Sequence, residues 1–141
     1  MKKYLQILLF TPFLMAFQCE SDDPAPFDNL ETTGILGSWE IQDEVINGNI
    51  SDMIPRCCEF LEFDPDDDIR DNKGLLTYND SQGLVNSGTF EVDFDNQIIL
   101  FIDNDDDEFL FTFSLDESQD ILTIDFNEDG TDYTQNWVKI N

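Results

Sequence analysis

The chain has 141 residues and no histidine, and it sets 32 aspartates and glutamates against six lysines and arginines, a formal net charge of −26 at neutral pH. Such a charge repels nucleic acid and anionic lipid surfaces and argues against both as partners. Without histidine the commonest general base, the Ser–His and Cys–His nucleophile pairs and imidazole metal sites are all excluded. No Gly-rich phosphate loop, Walker motif or zinc-spaced cysteine set is present, and among so many acids a chance carboxylate pair is no argument for glycosidase chemistry. The expectation is a protein that is not an enzyme and has no cofactor.

The chain opens with Lys2 and Lys3, then runs apolar from Tyr4 to Phe17 through Ile7, Leu8, Leu9 and Phe10, and reaches Cys19. Charge followed by an apolar stretch is the order of a secretory signal. The stretch is shorter than the roughly 20 residues of a spanning helix. It is interrupted by Gln6, Thr11 and Pro12 and followed at once by Glu20, Asp22 and Asp23. Residues 1–18 therefore read as an export signal peptide. Phe17 and Gln18 are not the small residues an ordinary cleavage site wants, and a cut before Cys19 fits better. In this the segment resembles bacterial lipoproteins, whose cysteine thiol takes a diacylglycerol and whose new amino terminus takes a further acyl chain. Ala16 stands where leucine is commonest and Gln18 where a small residue is expected, so the match is to the looser lipobox of some Gram-negative groups. The resemblance implies lipidation of Cys19, with palmitate as a natural label, and attachment to the outer membrane on its periplasmic side or at the cell surface. More than one acyl chain is needed for lasting attachment, and a fully lipidated Cys19 would supply them. Ser21-Asp22-Asp23 also resembles surface-export signals of some Gram-negative lipoproteins. Residues 19–29 are polar and proline-bearing, which reads as the lipidated cysteine and a flexible acidic tether.

Loss of residues 1–18 removes two lysines and no acids, so the remainder is more acidic still. High net charge opposes compaction. Yet ten of the thirteen phenylalanines and both tryptophans lie beyond residue 18, which points to a folded core under an acidic skin. Residues 30–141 suffice for one domain with one core.

From Gly37 onward, short apolar or alternating runs are separated by turn residues, the pattern of an all-β chain. Eight strands are predicted: 37–46, 58–63, 74–78, 88–94, 97–102, 108–115, 121–126 and 133–140. Phe90, Val92 and Phe94 alternate with Thr89, Glu91 and Asp93, and Phe109, Phe111 and Phe113 alternate with Leu110, Thr112 and Ser114. One face of each strand is thus expected inside and the other in water, as in antiparallel sheets. The links, such as Asp95-Asn96 and Asn127-Glu128-Asp129-Gly130, are short and carry hairpin chemistry, which makes sequence neighbours sheet neighbours. An eight-stranded up-and-down meander that closes by pairing its first and last strands leaves no exposed edge, so a barrel is expected, with an open β-sandwich as the alternative.

The first strand begins Gly37-Ser38-Trp39 after a short turn-like segment from Asn29 to Leu36, and the last carries Trp137 and Lys139. This pattern over residues 30–141 resembles the lipocalin-like domain of small lipoproteins of Gram-negative bacteria. In lipocalins a Gly-x-Trp on the first strand sets the indole at the closed end of the barrel under a basic residue from the last strand. The resemblance thus implies a structural motif of Gly37, Trp39 and Lys139, with Lys139 over the indole in a cation–π contact. It also implies a binding or accessory protein of the cell envelope whose barrel takes a small apolar ligand.

Cys57 and Cys58 are adjacent, and neighbouring cysteines bridge only through a strained ring. Two free thiols, a vicinal disulfide and pairing to another chain all stay open. Two acidic runs, Asp64-Pro65-Asp66-Asp67-Asp68 and Asp103-Asn104-Asp105-Asp106-Asp107-Glu108, have oxygen ligands at the spacing hard cations accept. Neither has the glycine and glutamate of the helical calcium loop. Solvated hairpin tips, or weak calcium sites on an acidic surface module that uses the barrel as scaffold, are the two readings.

Overall fold

The structure is a computed structural model in which residues 29–50 and 53–140 are described. The signal segment, Cys19 and the tether up to residue 28 lie outside the described residues. A one-turn helix, α1 (Leu30–Thr33), precedes nine strands: β1 (Gly37–Ile46), β2 (Ile54–Pro55), β3 (Phe60–Pro65), β4 (Lys73–Asn79), β5 (Val85–Asp93), β6 (Ile98–Asp103), β7 (Glu108–Leu115), β8 (Ile121–Glu128) and β9 (Thr131–Ile140).

From β3 to β9 each strand pairs antiparallel with the next, β1 pairs with β3, and β9 returns to pair along the length of β1. Trp39 stands opposite Lys139 and Ile41 opposite Trp137 in that closing ladder. The result is a closed eight-stranded antiparallel up-and-down barrel, consistent with a lipocalin-like barrel, plus one extra strand. Closure rules out the open sandwich, because β1 and β9 have no free edge along their shared length. The extra strand is β2, which lies on the same side of β1 as β3 and pairs where β3 has left off, Asp43 opposite Pro55 and Glu44 opposite Ile54.

The eight predicted strands agree with β1 and β7 and differ from β3, β4, β5, β6, β8 and β9 by one to three residues at their ends, while β2 has no predicted counterpart. The largest corrections have physical causes. The strand expected from Cys58 begins at Phe60, because Cys58 has φ +68° and cannot continue a strand. The turn-like stretch before β1 contains α1. Its N-cap is Asn29, whose side chain accepts from the Thr32 N–H, and its C-cap is Gly34 at φ +77°, so Asn29 belongs to the folded part and not to the tether.

The period-two pattern delivers the core as expected. Phe90 and Val92 are buried while Thr89 and Glu91 are exposed, and Leu122 and Ile124 are buried on β8. Phe63 meets Phe90 edge to face at 5.2 Å. Full burial of each such side chain contributes about 1.5–3 kcal/mol. Phe109, expected inside, is 40 % exposed because it lies at an open end of the barrel.

Candidate ligand cavity and its polar flank

The two ends of the barrel differ. One is covered by α1, whose Leu30 and Glu31 N–H groups donate to the Asp71 and Ile69 carbonyls of the β3–β4 connection. Leu30 and Ile35 pack into the core beside Trp39. The Trp39 indole N–H donates to the Ile35 carbonyl at 2.9 Å, and Lys139 Nζ sits 5.0 Å from the Trp39 ring centre while donating to the Gly34 carbonyl at 2.7 Å. Gly37, at φ +122°, starts the strand beside the Lys139 side chain. Gly37, Trp39 and Lys139 therefore meet at the covered end.

Toward the other end, where the β4–β5, β6–β7 and β8–β9 hairpins lie, the interior holds a cavity of about 270 Å³. A pocket of this size is close to the lower end of the usual range for small-molecule sites. Its walls are the inward faces of seven strands. Phe63, Phe101, Phe109, Phe111, Phe126 and Trp137 supply rings, and Leu61, Leu76, Ile99 and Ile124 fill between them. The rings form a connected wall: Phe101 with Phe109 at 5.9 Å, Phe109 with Phe111 at 6.5 Å and Phe111 with Phe126 at 5.8 Å. Three polar residues, Tyr78, Asn86 and Gln135, complete the lining. Apolar residues also stand exposed near this end, among them Leu84, Val85 and Phe109.

Two of the polar lining residues lead to a charged cluster that alternation alone does not predict. Strict alternation from Trp39 and Ile41 would turn Asp43 inward. A β-bulge intervenes: Ile41 faces Trp137 and Asp43 faces Asn136, so Gln42 is extra and the side-chain order behind it reverses. Glu44 is thereby turned in, 6 % exposed, opposite Gln135. On the other side of β1 a larger bulge sets four residues, 56–59, against Ile41 and Gln42. It is pinned at both ends, by Arg56 N–H to the Gln42 carbonyl at 2.8 Å and by Ile41 N–H to the Glu59 carbonyl at 3.1 Å.

That second bulge brings Arg56 and Glu59 to Glu44. Arg56 Nη1 donates to Glu44 Oε1 at 2.8 Å, and Arg56 Nε donates to Glu59 Oε1 at 3.1 Å, with Nη2 also on Glu59. Gln135 Nε2 donates to Glu44 Oε2 at 2.7 Å, and the Tyr78 hydroxyl to Glu59 Oε2 at 2.8 Å. All four carboxylate oxygens accept from the protein, as two nearly buried acids require. Burial first, then the bond to Glu59, pushes the Tyr78 phenol well above its ordinary value. The bond to Glu59 likewise raises Arg56. Two acids held by one guanidinium with no unused oxygen make a structural ion cluster, not an acid–base couple.

Cys57 and Cys58 form the exposed outer tip of the same bulge. Both are unbridged in the structure, with their sulfurs in close contact. The Cys58 thiol donates to Cys57, and that bond raises its pKa.

The two acidic runs lie at opposite ends of the barrel. Their aspartates work as turn acceptors: Asp66 takes the Asp68 N–H, and Asp103 Oδ1 takes those of Asp105 and Asp107. Among the described residues no group of three or more Cys, Asp or Glu side chains is placed to hold a metal ion. A second concavity, about 410 Å³, lies at the covered end between Thr33 and the β5–β6 and β7–β8 turns. Phe94, Phe113 and Leu115 share its lining with five polar residues, Thr33, Gln97, Asp116, Glu117 and Gln119, whereas the first is lined by ten apolar and aromatic residues and three polar ones. The first is the better candidate for a ligand.

Comparisons of the chain with protein-family models, with curated proteins and with solved structures find no match.

Proposed function

We propose that this is a lipid-anchored protein of the cell envelope, tethered to the outer membrane through acylated Cys19, whose barrel binds a small apolar ligand without catalysing its conversion. The observation that supports the reading is the ring-lined cavity of about 270 Å³ toward the barrel end that α1 does not cover. Apolar lining with a few fixed polar groups is what small-molecule sites usually present. Arg56, Gln135 and Tyr78 occupy the Glu44 and Glu59 oxygens on the flank of the cavity, which supports a structural role for this carboxylate pair. Titration of the full-length chain with the neutral fluorophore N-phenyl-1-naphthylamine tests the binding reading. Saturable binding at one equivalent is expected, and the absence of saturable binding would overturn the reading.

A second reading, an acidic surface module with weak calcium sites, has one observation in its favour: the tips at residues 66–68 and 104–107 are exposed and acidic. On that reading millimolar calcium raises the melting temperature more than sodium at equal ionic strength.

A further inference from the structure

We propose that Cys57 and Cys58 are a reversible dithiol–disulfide site, which reacts with the disulfide of another molecule and closes into a bridge between the two neighbouring residues. The fold holds their sulfurs together as a regular strand would not. Successive side chains of a strand point to opposite faces, so adjacent cysteines there stand apart. Cys58 instead has φ +68°, a left-handed conformation that side-chain-bearing residues seldom adopt, and its thiol donates to the Cys57 sulfur beside it. The segment that carries them is fixed at both ends. Arg56 N–H donates to the Gln42 carbonyl, the Glu59 carbonyl accepts from Ile41 N–H, and the Arg56 and Glu59 side chains are joined as an ion pair. Both cysteines are exposed, and no other cysteine lies among the described residues.

A structural staple is the wrong role for this pair. A bridge gains stability by closing a loop, and between neighbours the loop encloses no intervening residue. The ring that forms is small and strained, and strained, exposed disulfides are the easily reduced ones. A lasting link to another chain suits the pair no better. Once either sulfur carries a mixed disulfide, its neighbour is placed to displace the foreign thiol, an intramolecular step that outruns a second encounter.

The exchange runs in two steps. A thiolate of one cysteine attacks the foreign S–S bond, which forms a mixed disulfide and expels one thiolate. The other cysteine gives up its proton and attacks the protein sulfur of that mixed disulfide, which closes the Cys57–Cys58 bond and expels the second thiolate. The two cysteines lose two electrons, the foreign disulfide is reduced to two thiols, and the protons leaving the cysteines go to the thiolates released. Neither cysteine lines the ring-walled cavity, so the site works whatever the barrel holds.

The test uses the full-length chain with Cys19→Ser, in which Cys57 and Cys58 are the only thiols. The folded, reduced protein is incubated with oxidised glutathione and followed by mass spectrometry. The monomer is expected to lose the mass of two hydrogens, localised to the peptide that holds both cysteines, and to regain it in excess reduced glutathione without denaturant. Cys57→Ser and Cys58→Ser, each added to that chain, are expected to stop at one glutathione adduct, because the second step is gone. Stable adducts on both cysteines, a disulfide-linked dimer, no reaction, or a bridge that excess reduced glutathione leaves closed would each overturn the proposal.

Discussion

Arg56 Nη1 stands 2.8 Å from Glu44 Oε1, and the two residues face each other because both sides of the contact are bulged, by Gln42 in β1 and by residues 56–59 before β3. The Arg56 side chain is one-third exposed, while those of Glu44 and Glu59 are almost wholly buried. The guanidinium thus bridges solvent and the flank of the cavity. Bulges that re-aim a side chain recur next to binding sites.

Removing that cation strands two buried acids. Arg56→Met is expected to lower unfolding stability by about 3 kcal/mol, the scale of breaking a buried ion pair, reduced somewhat by the exposure of the arginine. Arg56→Met combined with Glu59→Gln should recover part of the loss. Urea unfolding of the two single variants and the double variant checks this through the coupling energy.

Asp116 ties the β7–β8 turn, with Oδ1 accepting from the Asp120 N–H at 2.9 Å and the Ile121 N–H at 2.8 Å, and with Oδ2 accepting from Ser118. The Ser118 hydroxyl, followed by the Ile121 N–H, holds its carboxyl down at about 2, from an ordinary value of 3.8. A carboxyl depressed on folding stabilises the native state above its unfolded pKa, and the gain is lost as pH falls through the folded one. Asp116→Ala is therefore expected to melt several degrees below wild type at pH 7. The gap should narrow below about pH 4 and close near pH 2, in melting curves recorded across that range.

Gly88 lies where β5 passes β6, and a methyl group there would stand 2.0 Å from the Ile102 carbonyl oxygen and 2.7 Å from the Asp103 Cα. Backbone cannot yield as a side chain can. Gly88→Ala is expected to cost about 2 kcal/mol or more, the scale of an overpacked core. Gly83→Ala has no neighbour within 4 Å and should show only the smaller strain of its φ of +83°. Denaturant midpoints of the two variants separate the cases.

Acylation at Cys19 is expected to make cells incorporate labelled palmitate into the wild-type chain and not into Cys19→Ser, with the variant released from the membrane fraction. Equal labelling of both would remove the anchor.

The barrel was legible because alternation and turn chemistry are local. Phe90 and Val92, or Leu122 and Ile124, declare an inner face within one strand, and the short hairpins leave little choice of neighbour. The meeting of Trp39 and Lys139 was implied only by the family resemblance of Gly37-Ser38-Trp39 and the last strand, not by the pattern itself. The ion cluster was not readable, because a bulge inserts one residue without any mark in a period-two pattern and reverses which side chains face in. Glu44 and Glu59 looked like two acids among many. The available signal was Arg56 itself, one of four basic residues after Lys3, beside Pro55 and the paired cysteines. Helix α1 was too short for helical periodicity, and Asn29 and Gly34 at its two caps were the readable signs.

The most direct measurement fills the cavity from within. Ile124 is buried on β8 and lines the space, so Ile124→Trp would occupy it at the expense of a ligand. Wild type is expected to bind one equivalent of N-phenyl-1-naphthylamine, and a folded Ile124→Trp variant with an unchanged circular dichroism spectrum is expected to bind it about tenfold more weakly or not at all. Equal binding by the two proteins would contradict the account, because the fluorophore would then be held somewhere other than the barrel interior.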